Sequence, residues 1–172
     1  MSGLAGLPVR PAARILLLDA ADHLLLFRYR DDAYADAGKP QLFEYWLSPG
    51  GGREAGETLE ETAARELAEE CGITGLRLSR AIALRRIALR VYGGPAMLCE
   101  EHFFLARLPG VKPAIDTSGQ FQNELDVLRE VRWWAHADMA ASEHPIVPTG
   151  LPAFLPRLIA GDLPGEPVFL KG

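Results

Sequence analysis

The chain has 172 residues and a formal net charge of −5, with 48% apolar residues, 24% charged residues and two cysteines. This composition excludes intrinsically disordered, collagen-like and coiled-coil architectures, and two cysteines are too few for a disulfide scaffold. The length predicts a single domain over residues 1–172 with a sizeable buried core. The longest apolar runs, Ile15 to Leu18 and Leu24 to Phe27, are far shorter than the roughly 20 residues of a membrane span. No signal peptide is evident, so we expect a cytoplasmic protein without a membrane partner.

The charges are unevenly distributed along the chain. Residues 51–70 hold seven glutamates and two arginines, whereas residues 74–94 hold five arginines and no acidic residue. A carboxylate cluster suits hard cations, and guanidinium groups suit phosphate oxygens. A solvated acidic helix followed by a strand with charged outer residues would have the same composition. The acidic balance, without a basic arm at either end, argues against a nucleic-acid polymer as partner.

The first part of the chain alternates between short apolar strands and polar segments. Strands are predicted over Ala13 to Asp19, Leu24 to Arg28 and Tyr45 to Leu47. The polar loop between the second and third strands, residues 30–44, is long enough to be functional. The segment Ser48 to Gly52 contains a proline and three glycines and cannot form a helix.

Thr58 to Cys71 is the clearest helix in the sequence. Thr58 is predicted to cap its first turn, with Glu61 completing a capping box, and Gly72 is placed to end it in a left-handed conformation. The remaining elements continue an α/β pattern. In chain order they are one or two strands over Leu76 to Tyr92, a turn at Gly93 to Pro95, a strand over Met97 to Leu108, a polar loop over residues 109–123, a strand over Val127 to Trp134, a helix over Leu151 to Ala160, and a loosely packed tail from about residue 161.

Three glutamates of the predicted helix lie on one side of it. At about 100° per residue, Glu66, Glu69 and Glu70 share an arc of roughly 100° at the edge of the apolar face. Like charges four residues apart destabilise a helix, and divalent cations would relieve that repulsion. A glutamate-rich solvated face remains the alternative at this point. Arg65 lies four residues from both Glu61 and Glu69 and is predicted to orient them.

The residues around this helix follow a specific spacing. Gly51 is followed by five residues, Glu57, seven residues, and then Arg65-Glu66-Leu67-Ala68-Glu69-Glu70-Cys71-Gly72-Ile73. Every fixed position of the pattern GX5EX7REUXEEXGU, in which U is a bulky apolar residue, is filled. On this motif the chain resembles the MutT-like Nudix hydrolase family. Over the remaining chain the similarity holds only in strand order and length.

The resemblance implies a fold, a reaction and a cofactor. The fold is an α/β/α sandwich in which a mixed β-sheet lies between helices. The reaction is hydrolysis of a nucleoside diphosphate linked to another moiety, as in a nucleoside triphosphate or a nucleotide sugar, so the partner is a small-molecule nucleotide. The cofactor is Mg²⁺, with Mn²⁺ as a substitute. The implied metal ligands are Glu66, Glu69 and Glu70, supported by Glu57 and by a backbone carbonyl of Gly51 or Gly50. A homodimer is a further expectation of the family.

The general base stays open, because members of the family take it either from the motif helix or from a later strand or loop. By strand alternation Glu100 shares a face with His102, which favours Glu100 over Glu101 as the residue that points at the site. Glu124, at the end of the second polar loop, is the alternative. The candidate catalytic residues are therefore Glu69, Glu70, Glu100 and Glu124.

Substrate contacts are less specific in the sequence. Five arginines are candidates for phosphate contacts, although each fits a solvated strand position equally well: Arg28, Arg30, Arg85, Arg86 and Arg90. Phe43, Tyr45 and Trp46 would either stack on a base or pack in the core. A second class of function stays open, in which the fold binds a nucleotide as a sensor without hydrolysing it. A sensor is expected to lack motif carboxylates, and this sequence has them all.

Overall fold

The computed structural model describes residues 6–31, 43–90 and 94–172. In chain order the elements are β1 (Val9–Leu18), β2 (Leu24–Asp31), β3 (Phe43–Leu47), β4 (Gly50–Gly52), α1 (Leu59–Cys71), β5 (Leu78–Arg90), β6 (Ala96–Arg107), α2 (Gln122–Val127), β7 (Leu128–Trp134), a 3₁₀ helix (His136–Ala141), β8 (Ile146–Val147), α3 (Leu151–Ile159) and β9 (Val168–Phe169). Within these ranges no helix combines the length and the hydropathy that a membrane crossing requires.

The strands form one mixed sheet around β1. The order is β8-β3-β2-β1-β6-β5-β9, with β4 paired to β1 and β7 paired to β2. β1 runs parallel to β6 along its whole length, and its other edge is shared between two partners. β2 pairs with β1 where Leu18 lies opposite Leu24, whereas β4 pairs antiparallel with residues 12–14. The short glycine strand therefore lies beside the middle of the sheet, where the edge of β1 would otherwise be open.

Helices cover both faces of the sheet. Leu16 and Leu18 of β1 belong to a core cluster that includes α3, and their neighbours Ile15 and Leu17 belong to a second cluster that includes α1. Because side chains alternate along a strand, the continuous apolar run in β1 supplies both cores. The predicted arrangement of a mixed sheet between helices is confirmed.

Both ends of α1 follow the sequence prediction. The Thr58 side chain accepts a hydrogen bond from the Glu61 N–H, and the Glu61 carboxylate accepts one from the Thr58 N–H, which completes the capping box. Gly72 ends the helix in a left-handed conformation with φ of 68°, where glycine avoids the Cβ clash. This local chemistry fixes where the helix begins and ends and therefore which way its glutamates point.

Outside the motif, the structure differs from the sequence predictions in several elements, and part of two predicted segments lies outside the described residues. The tail after residue 161 is not loosely packed, because β9 pairs in parallel with β5 and Leu170 is buried in the core with 4% exposure. The short helix α2 was not predicted, because six residues are too few to show a helical repeat. Where the sequence predicted one or two strands over Leu76 to Tyr92, the described residues up to Arg90 contain a single strand, β5. Residues 32–42 of the predicted loop over residues 30–44 lie outside the described residues, as does Gly93, the first residue of the predicted turn.

Candidate active site

A cleft of about 690 Å³ opens beside the glycine strand and the C-terminal half of α1. Strands β1 to β6 and helices α1 and α2 all contribute to its walls, so residues far apart in the sequence meet there. The volume lies within the range of small-molecule sites, and the lining combines aromatic side chains with carboxylates and guanidinium groups. The cleft is therefore the candidate active site.

Two glutamates of α1 lie at the base of the cleft, against the glycine strand. The carboxylate of Glu70 accepts a hydrogen bond of 2.6 Å from the N–H of Gly50 and one of 3.4 Å from the hydroxyl of Tyr29. The carboxylate of Glu66 lies against Gly51, at a position that a Cβ on that residue would occupy. Glycine at position 51 leaves room for the Glu66 carboxylate, whereas position 50 requires glycine because its φ is 138° and the backbone of Ala13 lies where a Cβ would be.

Burial changes the protonation of this carboxylate pair. Glu66 is 6% exposed and Glu70 is 3% exposed. Burial, together with the neighbouring charge of Glu66, raises the pKa of Glu70 to about 8, although Arg14 and the N–H of Gly50 oppose the increase. Burial also raises the pKa of Glu66, and a hydrogen bond from Arg65 opposes that increase. Two buried carboxylates this close together favour either a proton or a cation between them.

Arg65 connects the other motif glutamates. Its guanidinium donates to Glu57 at 2.8 Å, to Glu66 at 2.8 Å and to Glu69 at 3.1 Å, and it also reaches the carbonyl of Gly52. The hydrogen bond from Arg65 lowers the pKa of Glu57 to about 2. The sequence predicted that Arg65 orients Glu61 and Glu69. Arg65 does contact Glu69, but the Glu61 carboxylate accepts the hydrogen bond of the helix cap from the Thr58 N–H. One arginine therefore holds three carboxylates on one side of α1.

The donor set fits a hard divalent cation, but it is not preassembled. Among the residues that the structure describes, no three carboxylate, histidine or cysteine side chains converge closely enough to enclose a metal ion. The reason is visible in the contacts, since Arg65 occupies oxygens of Glu66 and Glu69. The group offers only oxygen ligands, which Mg²⁺ prefers, and its two buried carboxylates lack a full neutralising charge. A cation that binds here would replace Arg65 at those oxygens.

The expectation that Glu100 points at the site is wrong. Glu100 does share a face with His102, and the two side chains are 3.1 Å apart, but this is the face of β6 away from the cleft. There Glu100 accepts a hydrogen bond of 2.8 Å from Arg86. Its neighbour Glu101 lines the cleft and has no exposed surface. The alternation was predicted correctly, but the sequence did not show which face lies towards α1.

Glu124 lies on the wall of the cleft. It belongs to α2, where its carboxylate accepts a hydrogen bond of 3.0 Å from the N–H of Phe121. Phe121 and Asn123 line the cleft beside it, and Phe121 is 64% exposed. The short helix thus brings an acidic, an amide and an aromatic side chain to the site, which the sequence suggested only for Glu124.

The structure separates the candidate substrate contacts into two groups. Arg90 and Tyr45 line the cleft, and the hydroxyl of Tyr45 donates to Asp31. The other four candidate arginines do not line the cleft. Arg28 stacks over Trp46 and pairs with Glu44 and Glu130, and Arg30 lies near Glu44. Arg85 is buried against Glu101, and Arg86 pairs with Glu100.

Six charged residues of the cleft lining were missed as candidates, among them Asp31, Arg53 and Glu54. The other three are Arg10 and Arg14 of β1 and Glu101 of β6. The sequence did hold a sign that Arg10 and Arg14 act together. Both come just before the apolar run of the first strand, and side chains four residues apart in a strand lie on the same face. Pairing with β4 and β6 turns that face towards the site.

Comparison with known proteins places the chain in a family. A NUDIX domain model matches residues 8–157. An RNA pyrophosphohydrolase from Sphingopyxis alaskensis is 32% identical over 152 residues, which cover 83% of this chain and 85% of that protein. The MutT protein from Methanosarcina mazei has a similar fold, with a TM-score of 0.59 and 17% identity over 91% of this chain and 97% of that one. A NUDIX hydrolase from Nitrosomonas europaea gives a TM-score of 0.57 and 16% identity over 91% of each chain.

The structural neighbours establish the fold, and the domain match together with the relative from S. alaskensis establishes the family. Residues 51–73, which hold the motif, form the loop and helix at the base of the cleft, so the motif carboxylates lie where a ligand would bind. This chain is a member of the Nudix pyrophosphohydrolase family.

Proposed function

We propose that this protein is a Mg²⁺-dependent hydrolase that cleaves the phosphoanhydride bond of a nucleoside diphosphate linked to another moiety. The observation that carries the proposal is the pair of buried carboxylates, Glu66 and Glu70, held against the glycine strand at the base of a cleft of about 690 Å³. Burying two carboxylates beside each other is unfavourable unless a proton or a cation compensates their charge, and a divalent cation would compensate both at once.

Glu66, Glu69 and Glu70 would hold the metal ion, with Glu57 and a backbone carbonyl of the glycine strand in support. When bound, Mg²⁺ or Mn²⁺ neutralises phosphate oxygens and lowers the pKa of a coordinated water. The protein fixes these ligands through the capped helix and the glycine strand. Arg65 holds Glu57, Glu66 and Glu69 in the absence of a ligand and offsets part of their charge.

Glu124 is our candidate for the general base. Its carboxylate lies on the cleft wall formed by α2, on a different element from the proposed metal ligands. A base outside the ligand set does not share its carboxylate with the metal ion, so its affinity for the proton of the attacking water is not lowered by direct coordination. Glu69 and Glu70 remain the alternatives within the motif. Glu124→Gln is expected to lower kcat by about a hundredfold or more while Mn²⁺ binding is unchanged.

The substrate class follows from what the cleft presents. Arg10 and Arg90 offer cations for phosphate oxygens, and Phe121 offers an exposed aromatic face for a base. A nucleoside triphosphate and a nucleotide sugar both fit this description. The name of the relative from S. alaskensis adds RNA as a candidate, because a triphosphate at the 5′ end of RNA carries the same bond.

One panel of substrates tests the proposal. Nucleoside triphosphates, nucleotide sugars, dinucleotides and a 5′-triphosphorylated oligoribonucleotide would be incubated with Mg²⁺ and with Mn²⁺. Wild type would be compared with Glu70→Gln and with Glu60→Gln, a control at an exposed position of the same helix. We expect hydrolysis that Glu70→Gln abolishes and Glu60→Gln retains. Pyrophosphate as product indicates a triphosphate substrate, and a nucleoside monophosphate with a sugar phosphate indicates a nucleotide sugar.

The panel also separates the enzyme from a nucleotide sensor. A sensor would be stabilised against thermal unfolding by a nucleotide without releasing any product. Absence of turnover on every substrate, together with such stabilisation, would refute the hydrolase proposal and leave a binding protein with the same fold.

A further inference from the structure

A fully buried acid outside the motif is connected to the site by hydrogen bonds. Glu101 of β6 has no exposed surface, and its two carboxylate oxygens accept from different arginines. Arg14 Nε donates to one oxygen at 2.9 Å, and Arg85 Nη1 donates to the other at 3.1 Å. Because an isolated buried charge is very unfavourable, this pairing holds all three side chains in fixed positions.

Arg14 extends the connection to the glycine strand. Its Nη1 donates to the carbonyl of Gly50 at 2.7 Å and to the carbonyl of Ser48 at 3.3 Å. The N–H of Gly50 in turn donates to Glu70 at 2.6 Å. Gly50 has a φ of 138°, which favours glycine, and a Cβ there would overlap the carbonyl of Ala13. A continuous path of hydrogen bonds therefore runs from Glu101 through Arg14 and Gly50 to Glu70.

We propose that Glu101 and Arg14 are positioning residues, which hold the Ser48 and Gly50 carbonyls on either side of the Gly50 N–H, so that this N–H fixes the Glu70 carboxylate for metal binding. The inference rests on the proposed function in one respect, because it takes Glu70 as a metal ligand. Neither positioning residue belongs to the sequence motif, and both come from the central parallel strands β1 and β6.

The geometry suits positioning better than a direct contact with substrate phosphate. The guanidinium of Arg14 already donates to one carboxylate and two carbonyls, and its side chain is only 13% exposed. Groups that hold a metal ligand in orientation commonly contribute about 10- to 100-fold to metal affinity without touching the ion. Only a guanidinium offers several donors in a fixed plane, so lysine keeps the charge at this position but not the arrangement.

The test measures Mn²⁺ binding directly, by the electron paramagnetic resonance signal of free Mn²⁺, and follows folding by near-ultraviolet circular dichroism. The variants are Arg14→Lys, Glu101→Gln and the double variant, with Glu100→Gln as a control on the opposite face of β6. We expect Arg14→Lys and Glu101→Gln each to raise the Kd for Mn²⁺ by about tenfold or more. The double variant should be no weaker than the worse single variant, because both changes interrupt one path. Glu100→Gln should bind as wild type does.

The outcomes separate this inference from the proposed function. If wild type binds Mn²⁺ and the folded variants bind it within about twofold of wild type, the two residues are structural only and the inference is refuted. Effects that add in the double variant would refute it as well. A rise in the KM for substrate without a change in Mn²⁺ affinity would make Arg14 a substrate contact instead. If wild type binds no Mn²⁺, the proposed metal site itself is refuted. If Glu101→Gln does not fold, Arg14→Lys decides, since it preserves the buried charges.

Discussion

Glu70 provides the sharpest test of the electrostatics of the site, in protein freed of metal by EDTA. Its pKa is about 8 in the folded protein and near its ordinary value of 4.5 in an unfolded chain. Between these pH values the folded state binds more protons than the unfolded state. The contribution of Glu70 to the free energy of unfolding is therefore fully present below about pH 4.5 and is lost as the pH rises through about 8. The slope is about 1.4 kcal/mol per pH unit for one group.

Replacing Glu70 with glutamine removes this pH dependence. Glutamine keeps an oxygen to accept the hydrogen bond from Gly50 but carries no charge at any pH. From pH 5.5 to pH 8 we expect the variant to gain up to about 3 kcal/mol of unfolding free energy relative to wild type. For a protein of this length such a gain corresponds to roughly 6–12 °C in Tm. Saturating Mg²⁺ should stabilise wild type at pH 8 and leave the Glu70→Gln variant nearly unchanged.

The measurement is urea-induced unfolding in EDTA at half-unit intervals of pH, for wild type, Glu70→Gln and Glu60→Gln. Glu60 lies exposed on the same helix, so its substitution controls for a change in net charge. Titrating groups that do not interact with Glu70 contribute equally to all three proteins and cancel in the differences. Glu66 is coupled to Glu70, so the difference between wild type and Glu70→Gln reports the titration of this pair. A difference between wild type and Glu70→Gln that stays constant across this range would show that Glu70 does not titrate there. The argument from burial would then fail.

Three further predictions concern the scaffold around the site, each checked by chemical denaturation in EDTA. Gly50→Ala should cost at least about 2 kcal/mol, because its φ is 138° and a Cβ would overlap β1; a cost below about 0.5 kcal/mol would contradict the close approach. Thr58→Ala should cost about 1 kcal/mol through loss of the helix cap, with Thr74→Ala, at an exposed position beyond the helix, as its control. Leu170→Ala should lower the free energy of unfolding by about 2–4 kcal/mol, because Leu170 packs into the core. A loss no larger than that of Leu163→Ala, at an exposed position of the same tail, would instead support a loosely packed tail.

The motif helix shows how much local sequence can determine. Thr58 and Glu61 define its beginning, Gly72 defines its end, and the angular spacing of the glutamates then follows from helical geometry. These interactions span only a few residues, so no knowledge of the rest of the chain is needed. The same holds for the strands of the core, where apolar runs predicted burial on both faces.

The strand β6 shows where such reasoning ends. Alternation correctly separated Glu100 from Glu101, but a strand pattern is symmetric between its two faces. The face that meets the site is chosen by the pairing of β6 with β1, which is distant in sequence, and by the packing of the helices on the two sides of the sheet. The tail failed as a prediction for a related reason, because β9 is stabilised by β5 and not by its own short sequence.

The sequence by itself determined the family resemblance, the motif helix with its caps and the set of carboxylates on one face, because all of these depend on spacing within a short segment. Only the tertiary structure decided that Glu101 is enclosed by Arg14 and Arg85, that Glu124 lies on the cleft wall, and that four of the five arginines proposed for phosphate lie elsewhere. These facts depend on strand order and on which sheet face the helices cover. Both are set by the burial of apolar surface across the whole chain, which no local pattern encodes.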